Sequence, residues 1–368
     1  MKHYTLKLTA VTPFHVGSGV KYSKKEYYVD TKTQTVTLMD MNKVMGWIAE
    51  QGHEALVVAF ESFMMSRDDD DIRDFLTRRI RMPEAVQKSC VMYSFKCGGT
   101  FSRNRSKRDL SAFMRDAEGR PYVPGSSLKG ALRTVLLVKM LLDGQFQYDI
   151  NAGNPKTTKE RLETAAERAE KRLLHKLNRT KYSNDMLNSI MSGFSVSDSL
   201  PFGNDEIIPA MKIDVSTGGE EVPIPTMREC ARPGTELCFS LTISEETERF
   251  IGVSYLKKAI DEFGDYYSEC YLSKYPQEFA ENMDGCIFLG GGSGYYAKNI
   301  IYPMFADDRR KALEAVASFM EEQFKKQNHK HNKDIKLGVS PRMLKCTYVG
   351  GRLRQLGLCR VEIEEKND

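Results

Sequence analysis

Residues 4–10 alternate apolar and polar side chains: Tyr4, Leu6 and Leu8 on one side, Thr5, Lys7 and Thr9 on the other. A period of two predicts a strand with one buried face. A loop with Pro13, Gly17 and Gly19, residues 12–19, ends it. Residues 26–30 and 34–38 read as a hairpin around Thr31-Lys32-Thr33, and Asp40 as the N-cap of a helix carrying Val44, Trp47 and Ile48 on one face. Helical pattern continues from Glu54 to about Arg81, and residues 90–96 read as a strand. A turn at residues 116–119 precedes a helix with Leu128, Leu132, Val135 and Leu136 inward. Residues 151–155 read as a linker. A charged helix over residues 160–178 follows, with a stripe of Leu162, Ala166, Ala169, Leu173 and Leu177.

In the second half, residues 223–229 and 237–243 read as paired strands around Arg232-Pro233-Gly234-Thr235. A helical stretch over residues 253–283, a strand at 286–289, a glycine-rich loop at 290–294 and a helix over 307–326 come next. Residues 345–349 and 358–363 close the chain as strands. Strands and helices alternate twice, with a glycine loop in each half. That order predicts two α+β units, each an antiparallel sheet with helices on one face.

The chain has 368 residues, 41% of them hydrophobic and 28% charged, enough for sizeable cores and against wholesale disorder. Its apolar runs fall short of a membrane span, and its first residues lack the apolar region of a signal peptide. Eight scattered cysteines without a CxxC suggest reduced thiols in a cytoplasmic protein. The net charge is only +4, but residues 96–133, 156–181 and 325–360 carry +6, +5 and +9. Basic segments in an otherwise acidic chain suggest a polyanion met on a defined surface. For residues 156–181 alone, a solvated helix face accounts for the charge.

Three loops set small residues beside a cation: His15, Gly17, Ser18 and Gly19 with Lys21; Ser126 and Ser127 with Lys129 and Arg133; and Gly290, Gly291, Gly292, Ser293 and Gly294 with Tyr295 and Lys298. Glycines let backbone N–H groups approach a phosphate, and a helix opening on two serines adds hydroxyls and a positive terminus. Lys129 and Arg133 share one helix face. The third loop is neither a P-loop nor GxGxxG, because Asn299 follows Lys298 and no dinucleotide-binding βαβ unit surrounds it. His329 and His331 have no carboxylate or cysteine at ligand spacing, which predicts a mobile basic loop and no metal.

Together and in this order, residues 12–19, the stretch Val123-Pro124-Gly125-Ser126-Ser127-Leu128-Lys129-Gly130-Ala131-Leu132-Arg133 and the loop at 290–298 resemble the RAMP superfamily of CRISPR proteins. Residues 17–23 and the segment Ser195-Val196-Ser197-Asp198-Ser199 resemble the subunits that cap the backbone filament of type III-A Csm effector complexes near the crRNA 3′ end. The resemblance implies two ferredoxin-like (RRM-like) domains with helical insertions, expected at residues 1–150 and 201–368 with an insertion at 151–200. It implies a non-catalytic RNA-binding subunit, without cofactor or metal. Its partners would be crRNA, the backbone RAMP subunit and through it the other Csm subunits, with host nucleases possible. No membrane partner and no direct DNA contact are expected. Some RAMP ribonucleases that process crRNA use a histidine as general acid/base, which makes His15 the enzymatic alternative. Backbone subunits cut target RNA with an aspartate before the hairpin; here that region reads Lys21-Tyr22-Ser23-Lys24-Lys25, without a carboxylate until Glu26.

Overall fold

The computed structural model describes residues 1–97, 108–144, 157–305, 308–327 and 329–366. The expected linker at 151–155 and part of the first basic segment lie outside the described residues. Among the described residues the strands form three sheets.

The first sheet is built on β1 (Lys2–Ala10), whose alternation buries Tyr4, Leu6, Leu8 and Ala10 as expected. β1 pairs antiparallel with β10 (Glu236–Ile243) on one side and β14 (Leu358–Glu365) on the other. β7 (Phe194–Val196) and β11 (Cys286–Phe288) complete the order β11-β14-β1-β10-β7. Helices α4 (Gly125–Gly144) and α6 (Val253–Cys270) pack on one another and against β7 and β11. Taken in chain order as β1-α4-β7-β10-α6-β14, with β11 added at the edge, this is a ferredoxin-like βαββαβ arrangement.

The second sheet has the order β13-β12-β8-β9-β6-β2. Its strands are β2 (Gly17–Tyr22), β6 (Leu110–Phe113), β8 (Ile207–Val215), β9 (Glu221–Ala231), β12 (Leu344–Val349) and β13 (Arg352–Gln355), and β6 runs parallel to β9. A side lobe joins β3 (Tyr27–Asp30), β4 (Thr35–Met39) and β5 (Val91–Lys96) to α1 (Met41–Glu50), α2 (Glu54–Met65) and α3 (Glu84–Ser89). It has its own core around Val44, Ile48, Phe63 and Phe75. Asp40 caps α1 as expected, accepting from the N–H groups of Asn42 and Lys43.

Several expectations change. The α+β class holds, but both large sheets draw strands from residues 1–150 and from 201–368, so those boundaries do not separate the sheets. The described part of the segment expected as a helical insertion at 151–200 packs on both neighbouring parts of the chain. α5 (Thr158–Leu174) packs on α7 (Arg309–Gln323), and β7 belongs to the first sheet. β9 and β10 do not pair; they lie in different sheets. The turn between them carries the chain from one sheet to the other, with the Gly234 N–H donating to the carbonyl of Ala10. Two alternating runs around a turn look like a hairpin in sequence, but their nonlocal partners β1 and β8 win them apart. No helix among the described residues is long and apolar enough to cross a membrane.

A candidate nucleic-acid interface

The first and third expected loops meet. Residues 12–16 cross from the first sheet to the second and are tied down at each step. Thr12 Oγ1 accepts from the Leu358 N–H, the Gly357 N–H donates to the carbonyl of Pro13, and Phe14 bonds the backbone of Ala231. The Gly291 N–H then donates to the carbonyl of His15 at 2.6 Å. Gly290 makes this approach possible. Its φ is +77°, and a Cβ there would lie 2.0 Å from the His15 carbonyl oxygen.

His15 itself is only 6% exposed. Its Nδ1–H donates to the backbone carbonyl of Glu229 at 2.7 Å, and its ring meets the edge of Phe113. Behind it, the fully buried Glu229 carboxylate accepts from the Tyr93 hydroxyl, the Phe113 N–H and the Arg115 guanidinium. Burial, seconded by the charges of Arg228 and Lys298, pushes the His15 pKa down to about 4, against the hydrogen bond that opposes the shift. A histidine whose folded pKa is depressed contributes stability that is complete above its unfolded pKa, near 6.5, and is lost as pH falls toward 4. The difference corresponds to about 3 kcal/mol. His15→Gln is therefore expected to flatten the fall in melting temperature between pH 7 and pH 4.5. Parallel curves for the two proteins would refute this.

Beyond the seam, a depression of about 430 Å³ opens between Gly292, Gly294, Tyr295, Lys298 and Asn299 on the loop side and Lys212 and Lys345 on the sheet side. Arg228 stands beside it: a Cβ on Gly292, whose φ is +94°, would lie 3.2 Å from Arg228 Nη1. Asp214 balances part of this charge, bonding Lys345 at 2.6 Å and Lys212 at 3.4 Å. Arg228 and Lys298 have no side-chain hydrogen-bond or ion-pair partner among the described residues. Lys298 is exposed, yet the protein crowding its ammonium, together with Arg228, lowers its pKa. Desolvation and the neighbouring Lys345 do the same to Lys212. Cations gathered this way repel one another and favour a bound anion. Lys212, Arg228 and Lys345 were not among the expected site residues. They lie on β8, β9 and β12, and only sheet pairing brings them to the loop; the basic segment containing Lys345 was the sole hint.

The other expected residues are placed differently. Ser293 is 4% exposed with its hydroxyl buried, so it faces the protein and not the depression. Gly17 remains near the seam, where a Cβ would lie 2.8 Å from His15 Nε2. Gly19 and Lys21 are exposed on β2, an edge strand where a loop was expected, and Ser18 bonds the carbonyl of Ala112. Lys24 is paired with Asp69, and Lys25 is buried over the ring of Phe63, so of that lysine run Lys21 is the one turned to solvent.

On α4, Ser126 is exposed and Ser127 half-buried, but the helix terminus already has a carboxylate: Asp198 accepts from the Gly125 N–H at 2.8 Å. Gly125 is required there, since a Cβ would lie 2.3 Å from the carbonyl oxygen of Val196. Arg133 is ion-paired with Glu170 of α5, leaving the half-buried Lys129, its pKa lowered by burial. The His329/His331 segment is not a loose basic loop. His331 is buried against Asp334, which also holds Arg342 and Ser340, and His329 stacks on Phe324.

Comparison with known proteins agrees with the fold. The family model of the RAMP superfamily matches residues 7–294. The curated protein named CRISPR system Cms protein Csm5 from Streptococcus thermophilus is 30% identical, over 81% of this chain and 80% of its own length. The protein of that name from Mycobacterium tuberculosis (strain ATCC 25618 / H37Rv) is 28% identical, over 99% and 98%. Among solved structures, a chain of a Csm-crRNA-target RNA ternary complex of a type III-A CRISPR-Cas system superposes with a TM-score of 0.63 at 19% identity, covering 98% of this chain and 100% of that one. The crystal structure of T. onnurineus Csm5 superposes with a TM-score of 0.56 at 18% identity, covering 96% and 99%. A fold with β1 at the centre of a ferredoxin-like sheet, a glycine loop closed onto the chain crossing after it, and near full-length relatives of one name place this chain in the RAMP superfamily, within its Csm5 family.

Proposed function

We propose that the protein is a non-catalytic, RNA-binding subunit of a type III-A CRISPR effector complex. In this reading it holds the 3′ region of crRNA, caps the backbone filament by docking on its last RAMP subunit, and supports crRNA maturation and antiviral defence from the cytoplasm. The observation that carries it is the depression beside the glycine loop, where Lys212, Arg228, Lys298 and Lys345 meet one carboxylate, Asp214. Such a cluster suits the phosphates of a single strand, whose affinity comes largely from backbone charge. The relatives' names and the RNA complex that shares the fold support the same reading.

The geometry of His15 speaks against the ribonuclease alternative. A general acid/base must reach the proton it moves and titrate near the working pH. His15 is buried, committed through Nδ1 to a backbone carbonyl, and held neutral at pH 7. The test is a gel shift and single-turnover cleavage assay on crRNA, with saturating purified protein and with or without chelator. Binding without cleavage is expected, in the wild type and in His15→Ala alike. Cleavage by the wild type that disappears in His15→Ala would overturn the non-catalytic assignment. Failure to bind would overturn the RNA-binding one.

A further inference from the structure

The turn at residues 295–299 separates two hollows. Tyr295, Lys298 and Asn299 line the lysine depression, whereas the next ring, Tyr296, lines a separate cleft of about 470 Å³. Tyr266 and Tyr302 also wall this cleft, and Lys274, Arg309 and Lys336 stand among its lining residues. No carboxylate lines it among the described residues. Arg309 is engaged with Glu269 at 2.8 Å, but Lys274 and Lys336 are exposed and have no ion-pair partner among the described residues.

The aromatic wall is held by stacking and a hydrogen bond within the protein. Tyr296 and Tyr302 stack with centroids 4.2 Å apart and planes 21° off parallel, and the Tyr302 hydroxyl donates to the carbonyl of Ser340. Both rings are buried, while Tyr266 is half-buried and so has surface left to offer. An acidic peptide would use the cations but not the rings, and an apolar ligand the reverse. A nucleotide uses both: a base presents a flat π-face, and its phosphate seeks unpaired lysines.

We propose that this cleft holds one unstacked nucleotide, its base against Tyr266 and its phosphate between Lys274 and Lys336, supplied by the RNA strand that crosses the adjoining lysine depression. The inference rests on the RNA-binding reading above and adds a second, base-stacking contact to it. Because every base has a π-face, the cleft accepts any of the four, which suits a strand of variable sequence.

The test uses the full chain and a single-stranded RNA carrying 4-thiouridine, read by anisotropy and by mapping ultraviolet crosslinks, with uridine monophosphate as competitor. Tyr266→Ala is expected to weaken binding about tenfold, within the range for loss of one stacked base. Tyr266→Phe, which keeps the ring, is expected to bind as the wild type does, and crosslinks are expected on the peptide bearing Tyr266. Wild-type affinity in Tyr266→Ala, with crosslinks confined to the glycine loop, would overturn the cleft and leave the RNA-binding reading standing. No RNA binding by the wild type would overturn both. Uridine monophosphate that occupies the cleft while Tyr266→Ala binds RNA normally would overturn the strand as the source of the nucleotide.

Discussion

Replacing Arg228 and Lys298 together by methionine is expected to lower affinity for single-stranded RNA by about a hundredfold while slightly raising the melting temperature of the free protein. The two effects have one cause. Neither cation has a partner among the described residues, and the Lys298 pKa is lowered first by burial and then by the charge of Arg228, so in the free protein the two repel one another. Methionine keeps the apolar stems and removes that repulsion. With RNA bound, the same charges each make an interaction of about 1.5 kcal/mol, and two of them amount to roughly two orders of magnitude in affinity. The salt dependence offers an independent reading: on a single strand, the slope of log affinity against log salt should flatten by about 0.7 for each phosphate no longer neutralised. Anisotropy titrations at three or more salt concentrations, with calorimetry of the free proteins, measure both. An unchanged slope, or a stability loss that parallels the affinity loss, would mean that these side chains serve the fold and not the ligand.

Gly290→Val is expected to be among the most damaging single substitutions in the chain, although it deletes no side chain. A β-branched residue at φ +77° is strained by roughly 1–3 kcal/mol. Its Cβ would also lie 2.0 Å from the His15 carbonyl oxygen, forcing apart the bond from the Gly291 N–H that closes the seam. Losing that buried bond adds about 1–3 kcal/mol, and together these predict a fall of about 3–8 °C in melting temperature for a chain of this length. Gly291→Ala is the control. Its φ is not positive, and its Cβ would sit 3.4 Å from His15 Cδ2, an ordinary separation. Calorimetry of the two variants decides the matter: equal melting temperatures would show that the seam at His15 is not what closes the loop.

This contrast also shows why the glycine loop could be found in the sequence but not divided there. The run Gly290-Gly291-Gly292-Ser293-Gly294 marks a place where backbone comes close to something. Which glycine meets protein and which meets open space depends on what lies opposite. Gly290 faces the His15 carbonyl, Gly292 faces Arg228, and Ser293 turns inward. The same holds for PGSSLKGALR. Its motif announces a helix start, but Asp198, more than seventy residues later, occupies the terminus, and Glu170 takes Arg133. Such motifs record close approach without recording the partner.

What the chain alone determined is therefore local. Alternation in residues 4–10 specifies a strand with a buried face, Asp40 specifies a helix start, and the 3.6-residue spacing of Leu128, Leu132, Val135 and Leu136 specifies the buried face of α4. These follow from side-chain periodicity and hydrogen bonds only a few residues apart. Tertiary structure decided the rest. Residues 223–243 read as one hairpin because each strand satisfies its own pattern, and that pattern carries no information about its neighbour. The partners β1 and β8 are set by the burial of whole sheet faces, a sum over distant segments. The edge strand β2, rich in glycine and weak by propensity, exists because β6 lies beside it. The cation cluster arises in the same way. Lys212, Arg228, Lys298 and Lys345 come from four segments, and their repulsion is offset by Asp214 and by the cooperative packing of the elements that bring them together.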